Sequence, residues 1–174
     1  MPTLQTDRLL LRMFRLEDVE AYAQMLADPE VQRYLGDGKP ASRSEAWRHM
    51  AMLLGHWQLL GFGLWAVEER ASGALIGRIG LFNPEGWPGV ELGWMLRRES
   101  WGQGLATEGA RAALAYAFTE LHQSHIISMI RPANTASIRV AEKLGEQLED
   151  RIEFREDAAL IYGISREQWQ DTAG

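Results

Sequence analysis

One short segment, Trp101 to Glu108, joins an apolar strand pattern to an apolar helix pattern through two closely spaced glycines, Gly102 and Gly104. The start of a helix leaves several backbone N–H groups without internal partners and carries the positive end of the helix dipole. Glycine keeps Cβ bulk away from the chain, so a ligand can approach the backbone closely. The segment therefore predicts an anion site in which backbone groups hold a phosphate.

The apolar periodicity around this turn predicts an α+β fold. A strand, two helices and three strands precede the turn; a helix, a strand, a helix and two strands follow it. Short connections favour an antiparallel meander before the turn, and the strand-helix-strand crossover after it adds a parallel pair. We therefore expect a mixed, mostly antiparallel central sheet flanked by helices, with the turn at the carboxyl end of its strand, where ligands of such sheets bind.

The predicted strands are Leu9 to Met13, Phe62 to Val67, Ala74 to Phe82, Val90 to Leu96, His125 to Ile130, Leu148 to Phe154 and Ala158 to Ser165. The predicted helices open at Glu17, at the capping box Ser42 to Glu45, at Leu105 and at Thr135. The third of these runs to Leu121 and the fourth to Leu144, before Gly145. Helical spacing places Trp47 and Trp57 in the core, whereas Trp87 stands in a Pro/Gly loop that could line a pocket.

Length and composition predict one domain over residues 1–174 with its own core, because 46% of the residues are apolar. The chain has no cysteine, which excludes disulfides, thiolate metal ligands and cysteine nucleophiles. The four histidines share no metal-ligand spacing, so no metal site is expected. The chain shows neither a leader pattern nor a segment long enough to span a bilayer, so we expect a cytoplasmic protein without a membrane partner.

The net charge of −6 argues against a general grip on nucleic-acid phosphates. The distribution of charge is uneven, since residues 97–143 contain six basic and four acidic side chains and the remainder is strongly acidic. A slightly basic segment around the glycine turn suits a polyanionic ligand, and the acidic remainder suits a cationic second substrate.

The strand before the turn contains a glycine, Gly93, inside an otherwise apolar run from Glu91 to Leu96. A glycine in this position often marks a β-bulge or a close backbone approach. A bulge would splay this strand from the strand at His125 to Ile130 and open a slot beside the phosphate turn. Unpaired N–H groups near Met95 and Leu96 could then hold a carbonyl oxygen that becomes an oxyanion.

A second segment, Asn134 to Gly145, has the pattern of a capped helix. Asn134 is a natural N-cap, and capping alone would explain it. Ser137 lies on the first turn, where its hydroxyl could face a ligand, be solvated or bond to the backbone.

These segments resemble the GNAT superfamily of N-acetyltransferases. The resemblance rests on Trp-Gly-x-Gly-Leu-Ala-Thr-Glu at residues 101–108, on Asn-Thr-Ala-Ser-Ile-Arg-x-x-Glu-Lys-Leu-Gly at residues 134–145, and on Ile161 to Trp169 near the end. The opening Leu4 to Arg12 is similar to the start of the ribosomal-protein-alanine N-acetyltransferases, the RimJ/RimL-like branch. The resemblance thus covers nearly the whole chain.

The resemblance implies a single acetyltransferase domain with a splayed, bulged strand at an acetyl-CoA slot. It implies that the pyrophosphate binds the backbone of Gly102 to Thr107, that Asn134 binds the cofactor arm and that Ser137 lies near its sulfur. It also implies that a primary amine, either a protein N-terminus or a small molecule, attacks the thioester directly. The enzyme is expected to be a monomer or a homodimer. The implied cofactor-binding residues are Met95, Leu96, Trp101, Gly102, Gln103, Gly104, Leu105, Ala106, Thr107, Asn134 and Ser137.

Amine acetylation makes two chemical demands on this site. The amine must lose a proton before it attacks, and Glu91 is the candidate base, acting through water. The departing thiolate benefits from a donor, and Ser137 is the candidate acid. Glu91 could instead be a solvent-facing residue of an alternating strand.

Two positions depart from the family pattern: Trp101 stands where the superfamily usually has Arg or Gln, and Glu146 follows Gly145 where this branch usually has an aromatic residue. Two rival functions share parts of this pattern. A dinucleotide oxidoreductase is disfavoured because the third glycine of its fingerprint would fall at Thr107 and the next strand ends without an acidic residue. The second rival, a non-catalytic acyl-CoA-binding module, remains an alternative. The loops at Tyr34 to Pro40 and Phe154 to Asp157 are expected to shape the acceptor pocket.

Overall fold

The computed structural model describes residues 2–173, and within them the strands form one eight-stranded sheet. In chain order the strands are β1 (Leu4–Gln5), β2 (Leu9–Arg12), β3 (Leu64–Glu69), β4 (Leu75–Phe82), β5 (Glu91–Leu96), β6 (His125–Ile130), β7 (Gln147–Phe154) and β8 (Asp157–Ser165). The helices are α1 (Val19–Ala27), α2 (Pro29–Gln32), α3 (Arg43–Leu60), α4 (Leu105–Thr119), α5 (Thr135–Leu144) and α6 (Arg166–Ala173). The single domain predicted over 1–174 includes Met1 and Gly174, which lie outside the described residues.

The strand order across the sheet is β1-β2-β3-β4-β5-β6-β8-β7. Every neighbouring pair is antiparallel except β5 and β6, which run parallel because α4 crosses from one to the other. The predicted mixed, mostly antiparallel α+β sheet with flanking helices is therefore confirmed.

The two faces of the sheet carry different helices. Leu105, Leu114 and Phe118 of α4 pack in one apolar cluster with Ile79 and Leu81 of β4. The other face is covered by α1 and α3, which contribute to a second apolar cluster that includes Leu64, Ala66 and Met95 of the sheet. These two apolar clusters hold β4 and β5, the strands beside the site, between helices on both faces of the sheet.

Local chemistry explains where α3 begins and ends. The Ser42 hydroxyl accepts a hydrogen bond from the Glu45 N–H, and the Glu45 carboxylate accepts one from the Ser42 N–H, so the predicted capping box is present. The helix ends at Gly61, whose φ of +76° is the left-handed conformation that favours glycine.

Several sequence predictions about elements are wrong in detail. Trp47 is 49% exposed, because the buried stripe of α3 runs through Ala46, Met50, Leu53 and Trp57 instead. The helix predicted to reach Leu121 ends at Thr119. The short β1, the four-residue α2 and the final α6 were not predicted, since elements of this length carry too few residues to show a period.

The predicted slot between β5 and β6 is present, but its origin differs from the prediction. The β4–β5 register is continuous from Glu91 to Leu96, with Gly93 opposite Gly80, so this ladder contains no bulge at Gly93. The splay arises on the other edge, where β5 pairs with β6 only through Glu91 and Ile127. All six residues of β6 pair instead with β8, which holds β6 away from the end of β5.

Candidate functional site

The glycine turn has the geometry of an anion cradle. Gly102 and Gly104 have φ angles of +73° and +78°, and Gly104 is the N-cap of α4. Among the described residues, none of the backbone N–H groups from Gly102 to Thr107 donates a hydrogen bond within the protein. These N–H groups therefore stand free at the positive end of α4.

Side chains hold the turn in place from outside. The indole N–H of Trp101 donates to the carbonyl oxygen of Leu96 over 2.8 Å, and the Arg8 guanidinium donates to the Gln103 carbonyl over 2.9 Å. Arg8 also pairs with Glu108 in the first turn of α4. Trp101 thus anchors the turn to the end of β5, which gives its departure from the family pattern a structural role.

The backbone of β5 alternates between its two neighbouring strands. The Arg97 N–H donates to the Ile76 carbonyl in β4, so the same alternation turns the backbone groups of Met95 toward β4 and those of Trp94 and Leu96 toward β6. The Met95 amide therefore does not face the slot, contrary to the sequence prediction, whereas the Leu96 amide does. Trp94 and Leu96 lie beyond the last β5–β6 pair, where the strands diverge.

A cavity of about 740 Å³ opens beside β5 on the side of the splay. It brings together four residues that the sequence singled out: Glu91, Asn134, Ser137 and the pocket-lining Trp87. The glycine turn lies outside this cavity, beyond the carboxyl end of β5. The site thus has an anion cradle at one end and a partly open pocket at the other.

Asn134 and Ser137 form one unit at the start of α5. The side-chain oxygen of Asn134 accepts a hydrogen bond from the Ser137 N–H over 3.2 Å, so the predicted cap is present. The Trp94 indole N–H donates to the Ser137 hydroxyl oxygen over 3.2 Å. Because an indole can only donate, Ser137 keeps its own hydrogen for a partner in the cavity.

Glu91 is a partly buried carboxyl group at the start of β5. The Trp87 indole N–H donates to Glu91 Oε2 over 2.5 Å. Burial raises the pKa of Glu91 to about 7, although the Trp87 hydrogen bond and the charge of Arg78 both favour ionisation. Glu91 lines the cavity and does not face open solvent, the alternative that the sequence left open.

Two loops close the far side of the cavity. The Arg131 guanidinium donates to the Gly36 carbonyl and to the Asp157 carboxylate, each over 2.6 Å. This contact ties the loop after α2 to the β7–β8 hairpin. Both predicted acceptor loops, Tyr34 to Pro40 and Phe154 to Asp157, contribute lining residues.

Two charged residues in this region, Arg78 and Glu146, were not predicted from the sequence to have a functional role. Arg78 is a lone cation in the apolar run of β4 and lines the cavity. Glu146 is 3% exposed, with Oε1 3.0 Å from the Ser128 hydroxyl and Oε2 without a hydrogen-bond partner among the described residues. The signal for Arg78 was a charged residue inside an apolar pattern, and the signal for Glu146 was a carboxylate where the family pattern has an aromatic residue; neither signal names a role.

Two further structural findings concern metals and membranes. In the described part of the chain, no group of three His, Cys, Asp or Glu side chains could hold a metal ion. None of the helices within residues 2–173 is both long enough and apolar enough to cross a bilayer.

Comparison with known proteins identifies the family. A family model described as "Acetyltransferase (GNAT) domain" matches residues 8–147. The uncharacterized N-acetyltransferase p20 of Bacillus licheniformis is 32% identical over 160 residues, covering 91% of this chain and 89% of p20. The acetyltransferase of Agrobacterium tumefaciens str. C58 has a TM-score of 0.84 at 32% identity, covering 94% of each chain.

A more distant structural neighbour is RimL, a ribosomal alpha-N-protein acetyltransferase solved in complex with coenzyme A. Its TM-score is 0.80 over 94% of this chain and 98% of its own, but at 18% identity it shows the fold alone. The family match and the 32% identical relatives each span most of the chain, and they confirm an acyltransferase enzyme. This chain belongs to the GNAT acetyltransferase family.

Proposed function

We propose that this enzyme transfers the acetyl group of acetyl-CoA to a primary amine by direct attack. The observation that carries the proposal is the run of free backbone N–H groups from Gly102 to Thr107, which ends a strand whose open edge leads to Ser137. The cradle suits the pyrophosphate, and the slot beside β5 suits the pantetheine arm, with Asn134 and Ser137 near the thioester. A family relationship and a neighbour solved with coenzyme A support this choice of donor.

The mechanism follows from the groups around the slot. Glu91 accepts a proton from the ammonium group of the acceptor, through water, and its pKa of about 7 suits this task at neutral pH. The neutral nitrogen attacks the thioester carbon, and the slot-facing amides of Trp94 and Leu96 stabilise the oxyanion. The C–S bond then breaks, Ser137 donates its proton to the departing thiolate, and the second proton that the nitrogen loses as the amide forms restores the Ser137 hydroxyl. The products are an amide and the free thiol of coenzyme A.

We propose that the enzyme lies beside the RimJ/RimL-like branch and acts in the cytoplasm, and the opening motif and the shared fold support this placement. That placement would make a protein N-terminus the acceptor, but a small-molecule amine fits the same chemistry. An acetyl-transfer screen with peptides of different N-termini, polyamines and amino acids, read as thiol release, tests the function. Tight coenzyme A binding without release for any amine would favour the alternative, a non-catalytic acyl-CoA-binding module.

Ser137→Ala is expected to slow turnover by about 10-fold while changing the affinity for coenzyme A by less than about twofold, since its hydroxyl acts on the departing sulfur. The measurement compares kcat with the coenzyme A Kd from calorimetry. Thr135→Ala, which removes an exposed hydroxyl from the same helix, is the matched control. An unchanged kcat in Ser137→Ala would remove the acid from the mechanism.

Gly102→Ala is expected to raise the Kd for coenzyme A by about 10-fold, because a Cβ strains a left-handed residue and crowds the cradle. Gly73→Ala is a closely matched control, since Gly73 has a φ of +70° and, like Gly102, no atom within 4 Å of an added Cβ. Both variants carry the same backbone strain, but only one touches the proposed phosphate site. Equal affinities in the two variants would contradict the cradle assignment.

A further inference from the structure

Arg78 places a guanidinium group in the wall of the cavity. Its neighbours across the sheet are Ala66 in β3 and Met95 in β5, both part of the apolar cluster beneath α1 and α3. Among the described residues, its buried Nε atom has no hydrogen-bond partner, its guanidinium lies beside the neutral Tyr22 hydroxyl, and no ion pair includes Arg78. Arg78 is therefore a cation in a largely apolar setting without a paired carboxylate.

Removing an arginine side chain from water costs free energy unless an anion pairs with it. Charged groups taken out of water are ordinarily paired or hydrogen-bonded. This chain follows that rule at Arg12, which is 6% exposed and lies 2.7 Å from carboxylate oxygens of both Asp18 and Glu68. Arg78, by contrast, has the neutral Tyr22 hydroxyl beside it and no carboxylate within ion-pair distance, which indicates that its anionic partner arrives from outside the chain.

The other charged groups of the cavity are already engaged. Asp157 pairs with Arg131, and Asp37 lies 3.6 Å from Lys39. Glu91 interacts with the charge of Arg78, but its hydrogen bonds come from the Trp87 indole and the Met129 backbone. His49, whose Nδ1 lies 2.8 Å from the Tyr22 hydroxyl, is kept neutral because burial lowers its pKa to about 3.

The rest of the cavity wall is largely aromatic, and its remaining arginine, Arg155, lies over the Trp87 and Phe154 rings with its Cζ 5.0 and 5.3 Å from their centroids. Phe82 and Trp87 meet edge to face with ring centroids 5.2 Å apart, and Trp87 and Phe154 meet in the same way at 4.9 Å. Tyr34 and Met52 add further apolar surface. The part of the acceptor that is neither amine nor anion therefore contacts apolar groups.

We infer that the acceptor is a small amine that also carries a carboxylate and an apolar side group, in the manner of a free apolar amino acid, with its carboxylate on Arg78. This inference rests on the proposed function, which assigns the amine of the same molecule to Glu91. A guanidinium fork matches a carboxylate with two parallel hydrogen bonds. A protein N-terminus lacks this group on its first residue, because there the α-carboxyl is part of a peptide bond.

The test compares each amino acid with the amine that lacks only its carboxylate. Phenylalanine is paired with 2-phenylethylamine and methionine with 3-(methylthio)propylamine, and a peptide beginning with the same residue forms a third arm. The readout is kcat/KM from thiol release at saturating acetyl-CoA. We expect the amino acid to exceed its partner amine by about 10- to 100-fold, the size of a hydrogen-bonded charge pair.

Variants of Arg78 assign this preference to its guanidinium. Arg78→Met is expected to abolish the preference by lowering kcat/KM for the amino acid alone, and Arg78→Lys to keep part of it. Arg43→Met, at an exposed ion pair with Glu20, should leave the preference unchanged. Equal activity on both members of each pair, higher activity on the peptide, or an equal loss for both members in Arg78→Met would overturn the inference.

Failure of the proposed function gives a different result, since no amine would then release thiol. Calorimetry of phenylalanine with the coenzyme A-saturated protein decides the carboxylate question in that case. Binding that Arg78→Met weakens by about 10-fold or more would keep the carboxylate site while discarding the transfer reaction. Absence of binding would overturn the carboxylate site itself.

Discussion

Glu91→Gln is expected to lower kcat for acetyl transfer by about 100- to 1000-fold, because a carboxamide cannot accept the proton of the attacking amine. The substitution preserves size and leaves a side-chain oxygen for the Trp87 indole, so the cavity keeps its shape. Glu91 must be ionised to act as a base, and its pKa is about 7. The activity of the unmodified enzyme should therefore rise with pH through about 7, and this rise should be absent from the variant.

The measurement is the pH dependence of kcat/KM between about pH 5.5 and pH 9, with the Kd for coenzyme A recorded beside it. Glu85→Gln changes an exposed carboxylate in the loop that also carries Trp87, and it should alter neither the rate nor the profile. A Glu91→Gln enzyme that keeps kcat within about threefold, with the same rise near pH 7, would show that another group accepts the proton.

The cofactor half of the site could be predicted because local backbone geometry dictates its residues. Gly102 and Gly104 have positive φ, and Asn134 caps a helix, so each requirement appears in the sequence at the position where it acts. The capping box at Ser42 is predictable for the same reason. None of these features depends on which other strand or helix lies nearby.

The residues of the acceptor half of the site owe their roles to tertiary neighbours, so the sequence carries weaker signals for them. The role of Arg78 becomes visible only once β4 is known to lie between apolar strands, and that of Glu146 only once the turn after α5 is known to place it beside Ser128. The phase of a strand or helix is equally invisible locally: the Met95 amide faces β4, and Trp47 lies just off the buried stripe of α3. A shift of one residue in a strand reverses the direction of the backbone amide, as at Met95, and a shift of one residue in a helix moves a side chain out of the core, as at Trp47.

Glu146 holds the two sides of the splay together through Ser128. The Ser128 hydroxyl lies 2.9 Å from the Leu92 carbonyl in β5 and 3.0 Å from Glu146 Oε1, but it has only one hydrogen to donate. Both contacts are hydrogen bonds if Glu146 is protonated, since it then donates to Ser128 while Ser128 donates to Leu92. Burial and the charge of Glu91 raise the pKa of Glu146 to about 8, which favours this protonated form at neutral pH.

Glu146→Gln is expected to make the protein more stable than the unmodified chain at about pH 9, and to change little at about pH 5, since the carboxamide donates to Ser128 at every pH. The folded-state pKa of Glu146 is raised from 4.5 to about 8, so its contribution to stability is complete below 4.5 and is lost as pH rises through about 8. A shift of this size corresponds to about 4 to 5 kcal/mol of unfolding free energy.

Denaturant unfolding at each pH measures this difference, and thermal unfolding should show Tm at pH 9 higher by about 10 °C in the variant. Glu142→Gln makes the same change at an exposed position of α5 and should follow the unmodified chain at every pH. Parallel stability curves for Glu146→Gln and the unmodified protein would mean that water or a cation reaches Glu146. The splay would then be held by the packing of β6 on β8, and the Ser128–Leu92 hydrogen bond would not depend on a protonated Glu146.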